Sequence, residues 1–227
     1  MITELTITYA RITGTKESSV WVMLNEIPRD NWGVGGQSLT ALDEARTQEN
    51  RIPDADLPAP AEEHEPTLEL RQAADTDIDR LAEIEAECFP AAEAASLEIL
   101  TSRFNVFGNH FWVLEADGEI IGFIDGMVTN SPIIFDELFT NPAAHTRHGA
   151  YQTILGLNVI PAMRSHGYAA ILLSRLIEQA RAEKRTGVIL TCKKELIDYY
   201  KNFGFKLDGV SDSAHGGARW YDMTLTF

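Results

Sequence analysis

Cysteine is scarce: Cys88 and Cys192 are the only two, and they form no CxxC spacing. A disulfide framework or a zinc site is therefore not expected, and a reducing, cytoplasmic location is. Basic charge is scarce as well. Nineteen Lys and Arg stand against 34 Asp and Glu, a formal net charge of -15. That balance, with no Lys/Arg-rich run, excludes a nucleic-acid binder, which needs a basic stripe. An acidic field would steer cationic small molecules such as amines, or simply favour solubility. No apolar run approaches the length of a membrane span, so no membrane partner is expected. "MITELTITYARITG" at the start lacks a basic region followed by an apolar one, so no signal peptide is read there. Neither a P-loop nor GxGxxG occurs, which takes weight from nucleoside triphosphates and dinucleotides. His145 and His148 are spaced i, i+3, but no carboxylate or cysteine completes a metal set.

What is present is ordinary globular material, 44% apolar and 23% charged over 227 residues. Three zones stand out. Residues 1–42 hold a periodic segment, the apolar strand "SVWVMLNEI" and the glycine-rich "DNWGVGGQSL". Residues 43–66 carry eight acids against two arginines, four prolines and almost no large apolar residue. Such a stretch cannot bury a core and reads as an extended, solvated linker. Residues 67–227 have the pattern of a complete domain.

In that domain "TLELRQA" alternates as a strand. Asp75 or Thr76 can cap a helix running through Phe89, with Ile78, Leu81, Glu85 and Cys88 on one face. A second helix is expected over Ala94–Phe104. "HFWVLEA" and "EIIGFIDGMV" flank Asp117-Gly118, a two-residue hairpin signal. Residues 129–150 are irregular, with two prolines, and suggest a functional loop or a partly helical insertion. "QTILGLNVI" reads as a strand. After it Ala169, Leu172, Leu173, Leu176, Ile177 and Ala180 recur at helical spacing, a stripe that packs on a sheet. "GVILTC" is a buried strand. "KELIDYYKNF" is a short helix ended by Gly204, and "ARWYDMTLTF" closes the chain with period-two alternation.

The turn Arg164-Ser165-His166-Gly167-Tyr168-Ala169 joins a strand to the long helix. A helix start offers unpaired N–H groups and the positive end of the dipole, a site for a diphosphate. Gly167 and Ala169 would let it approach, and Arg164 would add a cation. A plain strand-to-helix connection that contains glycine fits the same spacing.

The pattern Arg164-x-x-Gly167-x-Ala169 resembles the acyl-CoA signature of the GNAT superfamily of N-acetyltransferases, Arg/Gln-x-x-Gly-x-Gly/Ala. "LTCKKELIDYYKNFGF", Leu190 to Phe205, resembles that superfamily's last signature block. "ECFPAAEAAS", residues 87–96, resembles the first helical region of the arylalkylamine (serotonin) N-acetyltransferase branch. The resemblance covers about 67–227. It implies an α+β (mixed α/β) GNAT fold, with a central splayed mixed sheet flanked by helices and acetyl-CoA as co-substrate. It also implies pantetheine pairing with the backbone of Leu157 and Val159. The diphosphate would lie on Arg164, Ser165, His166, Gly167, Tyr168 and Ala169. Tyr200 matches the tyrosine that protonates the departing thiolate, and the acceptor would be a primary amine of a small molecule.

The chemistry of the residues agrees. Acyl transfer to an amine needs a neutral nucleophile, a polarised carbonyl and a proton for sulfur. A phenol, with a reference pKa of about 10, carries that proton at neutral pH. No covalent enzyme intermediate is required. The branch's two histidines, a proton relay, fall by alignment on Thr153 and Leu155. The amine proton must then leave otherwise, through ordered water near Glu85, Glu87 or Asp125. Tyr199 reads as core beside Tyr200, and Cys192 as a buried small hydrophobe. Phe111 and Trp112 read as core, and His215 as a residue of a flexible loop near the C-terminus, with lining of the substrate pocket the weaker alternative.

"SSVWVMLNEIPRDNWGVGGQSL", residues 18–39, resembles the C-terminal half of the 4-oxalocrotonate tautomerase family, a strand followed by a hairpin-forming Trp-Gly-x-Gly-Gly. Those enzymes use the secondary amine of an N-terminal proline as base. This sequence begins Met1-Ile2, and its first proline is Pro28, an internal amide. Tautomerisation is therefore expected only with an upstream N-terminal proline. A lone strand–hairpin unit is marginal, so weak order or packing between copies, a homo-oligomer through residues 1–42, is expected. The remaining alternative for the whole chain is a non-catalytic acyl-CoA-binding scaffold.

Overall fold

The computed structural model describes residues 66–227 and two short strands before them, β1 (Gly33–Val34) and β2 (Gln37–Ser38). The chain divides into two units, Met1–Glu63 and His64–Phe227. In the first, β1 and β2 pair antiparallel with Gly33 opposite Ser38 and Val34 opposite Gln37. That antiparallel pairing is the hairpin partnership that the Trp-Gly-x-Gly-Gly pattern implies. The expected strand "SVWVMLNEI" and the linker lie outside the described residues.

The second unit begins with β3 (Leu68–Gln72). Helix α1 (Ile78–Cys88) follows one 3-10 turn at Asp75–Asp77. Helix α2 spans Leu97–Phe107, three residues later than expected. The delay has a local cause. Ser96 is the N-cap, its side chain accepting from the Ile99 N–H at 3.3 Å, and Ala95 N–H is drawn to Glu85. Strands β4 (Phe111–Ala116) and β5 (Glu119–Asp125) form the expected hairpin, with φ of 53° at Asp117 and 84° at Gly118. Next come β6 (Val128–Thr129), the short α3 (Glu137–Thr140) inside the irregular stretch, β7 (Tyr151–Ile154) and β8 (Gly156–Val159). Helix α4 (Tyr168–Ala182), β9 (Gly187–Cys192), α5 (Ile197–Lys201), β10 (Lys206–Val210) and β11 (Tyr221–Thr226) complete the fold.

One expected strand, "QTILGLNVI", is two. Its halves belong to different sheets, ordered β3-β4-β5-β8 and β10-β11-β9-β7-β6. β7 runs parallel to β9 up to Ile154 opposite Leu190. β8 then follows β5 instead, antiparallel, with Gly156 opposite Asp125. On the other side Thr191 and Cys192 stay with β11. The sheet therefore splays after Leu155, whose N–H donates to Asp125 O at 2.9 Å. Gly126 permits the crossover: a Cβ there would lie 1.8 Å from Thr153 O.

Helices cover both faces. Leu172, Leu173, Leu176 and Ala180 of α4 are fully buried with Leu114, Ile124 and Leu190. Ala169 and Ile177 of the same stripe are half-buried. Leu81, Ile84, Leu100 and Phe107 from α1 and α2 pack on the opposite face with Phe111, Val113 and Phe123. Each buried leucine contributes about 1.5–3 kcal/mol. This is the splayed α+β arrangement expected. Strand β10 was not anticipated: Lys206, Leu207, Asp208 and Val210 are exposed and its ladder is broken between Leu207 and Gly209, so it lacks a clean alternation. Among the described residues no helix is long and apolar enough to cross a membrane.

Candidate active site

The mouth of the splay is a cavity of about 670 Å³, a usual size for a small-ligand site. The elements that diverge there supply its walls. Leu157 and Val159 come from β8, the outer strand of its sheet, so its far edge presents unpaired backbone groups. Val159 O is already engaged, by Arg164 Nε at 3.0 Å and Cys88 Sγ at 3.3 Å. Arg164 thus folds back along the strand end.

At one end lies the turn into α4. Arg164, Ser165, Gly167, Tyr168 and Ala169 line the cavity. His166 does not: its Nδ1 binds Arg164 O at 2.8 Å and its ring stacks on Tyr168. With a carbonyl as partner, Nδ1 carries the proton. Gly167 is the N-cap of α4 at φ 84°, and Ser165 also has positive φ, 68°. A Cβ at Gly167 would meet nothing within 4 Å. Its glycine is required by the left-handed backbone, rather than by crowding from the protein.

Tyr200 and Tyr199 line the other wall from α5. Burial, with Cys192 and Tyr199 adding to it, pushes the Tyr200 phenol up, so it stays protonated across the physiological range. Burial pushes Tyr199 up to about 12, and its hydroxyl is buried without a hydrogen-bond partner among the described residues. Tyr199 is therefore not only core; it also borders the cavity. Cys192 is buried, and burial pushes its thiol up to about 11. Thr153 cannot take a histidine's part, because it is fully buried and its hydroxyl donates to Met127 O at 3.1 Å. Leu155 lines the cavity.

Beyond the tyrosines the lining is aromatic. His215 stacks on Phe139, centroids 4.4 Å apart, and its Nε2 binds Glu93 O at 3.0 Å. Trp220 Nε1 donates to His215 O at 2.8 Å, and Lys193 reaches Glu93 at 2.8 Å. The "SAHGGARW" loop is thus anchored by specific bonds. Phe111 is fully buried, and Trp112 is buried with Nε1 donating to Gln179.

The three acids singled out in the sequence have separate fates. Glu87 is exposed. Asp125 is shut in against Arg103, Nη1 to Oδ2 3.1 Å. Glu85 is only 3% exposed yet borders the cavity. Burial, with Asp125 nearby, pushes its carboxyl up to about 7, although bonds from Ala95 N–H and Asn158 oppose the rise.

Residues 78–205 match the profile of the Acetyltransferase (GNAT) family, over half of the chain, and the chain belongs to that family. Residues 1–42 match the profile of the tautomerase enzymes. No curated protein matches the chain. Among solved structures, the loading GNATL domain of CurA from Lyngbya majuscula is 17% identical, with a TM-score of 0.60 over 70% of this chain and 98% of that one. The GphF GNAT-like decarboxylase, solved with isobutyryl-CoA, is 22% identical, TM-score 0.59, over 70% and 98%. Arabidopsis thaliana Naa50, solved with the bisubstrate analogue CoA-Ac-MVNAL, is 16% identical, TM-score 0.56, over 70% and 99%. At these identities the likeness is one of fold, and the arylalkylamine branch is not singled out.

Proposed function

We propose that residues 67–227 form an N-acetyltransferase domain that moves an acetyl group from acetyl-CoA to a primary amine of a small molecule. The observation that carries this is the single cavity at the splay. It joins a free strand edge, a helix N-terminus entered through Gly167, and a protonated phenol. Family membership and the CoA-derived ligands of GphF and Naa50 support acetyl-CoA as the donor.

The edge of β8 pairs with pantetheine, Leu157 offering its backbone freely and Val159 through the N–H alone. The backbone N–H groups from Arg164 to Ala169 take the diphosphate, helped by the α4 dipole. The amine nitrogen attacks the thioester carbon directly. As the C–N bond forms and the C–S bond breaks, sulfur leaves with the electron pair and takes a proton from Tyr200. Of the predicted diphosphate contacts, His166 contributes through its backbone only, its ring being turned to Arg164 O and Tyr168. Two free thiols support a reducing, cytoplasmic setting.

Thiol release from acetyl-CoA, followed over a panel of small primary amines, tests the reading. Amine-dependent release is expected. Tight CoA binding with no release for any amine would favour an acyl-CoA-binding scaffold instead. GphF, a GNAT-like decarboxylase on this fold, makes carbon dioxide release the control for a different reaction. For residues 1–42 the tautomerase match supports association of copies. Light scattering of the full chain tests it, and a monomer at all concentrations would reject it.

A further inference from the structure

We propose that the Glu85 carboxylate is the proton acceptor for the incoming amine, reaching the cavity across the gap that Gly156 leaves in β8. The proposal rests on the acetyl-transfer reading and adds the group that generates the neutral nucleophile.

Three observations converge on it. First, Glu85 is held at both oxygens: Oε1 accepts from Ala95 N–H at 3.0 Å and Oε2 from Asn158 Nδ2 at 2.9 Å. Each carboxylate oxygen keeps a second acceptor site, so both bonds leave room for a proton. Second, Gly156 opens the wall. A Cβ there would lie 3.6 Å from Glu85 Oε2 and 2.6 Å from Asp125 Oδ1. Any side chain would fill this space, whereas glycine leaves Glu85 bordering the cavity beside Leu157. Third, spare acceptors lie beside Glu85. Asp125 Oδ1 and Asn158 Oδ1 are fully buried behind the cavity wall and have no hydrogen-bond partner among the described residues. Acceptors left over beside the carboxylate favour a ligand that brings N–H donors and no acceptor, an ammonium.

The titratable and charged groups facing Glu85 are Asp125 from β5, Arg103 from α2 and Cys88 one turn along α1. β8 contributes the neutral Asn158. With both carboxylates ionised the cluster carries one net negative charge, which draws a cation or a proton. Its position near pH 7 suits a base working at neutral pH.

The protons balance. An ammonium substrate gives its first proton to Glu85, which passes it to solvent. The neutral amine attacks, and after the C–N bond forms the nitrogen sheds a second proton. That proton replaces the one Tyr200 gave to sulfur, so one proton is released per turnover.

Glu85→Gln tests the idea. The amide oxygen still accepts from Ala95 N–H, and the amide nitrogen can donate to Asn158 once that side chain turns over. The expected result is a fall in kcat/KM of about 100-fold or more with CoA affinity unchanged. The limb of the pH profile near 7 should vanish, leaving only the amine's own ionisation. Carbon-13 titration of the wild-type Glu85 carboxyl gives an independent readout. A midpoint near 7 that moves on adding a bound amine supports the proposal; an ordinary midpoint with no response overturns it. Glu85→Gln with wild-type turnover and pH profile, in an enzyme that does acetylate amines, overturns this proposal alone. A wild-type protein that acetylates no amine overturns the acetyl-transfer reading and this proposal with it.

Discussion

Arg103 and Asp125 form an ion pair that water hardly reaches, Nη1 to Oδ2 3.1 Å with the side chains 3% and 0% exposed. Arg103 Nη2 also donates to Phe139 O at 2.9 Å, tying α2 and β5 to the segment whose Phe139 borders the cavity. Burial outweighs the guanidinium and pushes the Asp125 carboxyl up. Removing one partner leaves a buried charge or forces a proton onto it. Arg103→Met should therefore cost about 3–5 kcal/mol in urea denaturation. The double variant Arg103→Met/Asp125→Leu should be markedly more stable than that single one. With Asp125→Leu measured alone, a double-variant loss equal to the sum of the two single losses would show that the two groups are not coupled.

Tyr200→Phe separates chemistry from binding. The phenol is the proposed acid, so turnover should fall by about 100-fold or more while CoA affinity measured by calorimetry holds. Tyr199→Phe is the control. It deletes a buried hydroxyl with no partner among the described residues, and removing an unsatisfied polar group is neutral or stabilising. Unchanged turnover in Tyr200→Phe would remove that residue from the mechanism. A large loss in Tyr199→Phe would move the acid one position back.

How far the sequence reaches is instructive at this site. The stripe of α4, the Asp117-Gly118 turn and the strand-to-helix connection at Arg164–Ala169 are local patterns, and each is legible in the sequence. The splay is different. It arises because β9 stays with β11 while β8 follows β5, and within "QTILGLNVI" only Gly156 hints at a break after Leu155. Gly126 and Gly156 are the traces it leaves, since backbone or side chains press on both, but a glycine's neighbours are tertiary facts. The start of α2 shows the same limit. Ala94 and Ala95 are good helix formers, yet the Pro90 carbonyl takes Ala94 N–H and Glu85 takes Ala95 N–H. Glu85, Glu87 and Asp125 were equivalent as acids in a string. Only burial and partners tell a cavity base from a surface charge and an ion pair.

Gly167→Ala isolates a backbone requirement. A methyl would meet no protein atom within 4 Å, but φ is 84°. Forcing an alanine into that conformation costs about 1–2 kcal/mol. Gly167→Asn should cost less, because asparagine tolerates the left-handed region. Thermal or urea unfolding orders the three proteins. An alanine variant as stable as the wild type would mean that the turn relaxes to another geometry. CoA affinity should then fall, since the N–H groups of the helix start would be re-aimed.

His145 gives a pH signature distinct from the active site. Its Nδ1 accepts from Val128 N–H at 3.2 Å, and its ring stacks on Phe107. Burial pushes it from 6.5 down to about 4, with His110 and Arg185 adding to the fall and Glu183 opposing it. The folded pKa lies below the unfolded one, so between these values the unfolded chain binds the extra proton. Stability should decline as pH falls from 6.5 to about 4. His110, also pushed down by burial, acts in the same sense, whereas Glu85 and Asp125, pushed up, act in the opposite one. The net curve mixes these, so the difference between two proteins is the useful quantity. His145→Phe loses the Val128 bond at every pH, a constant offset, and loses the titration only in that window. Its stability should decline less steeply than the wild type's between pH 6.5 and 4. Parallel curves, or a His145 ring signal that titrates near 6.5 by NMR, would show that the imidazole is not held neutral by its burial.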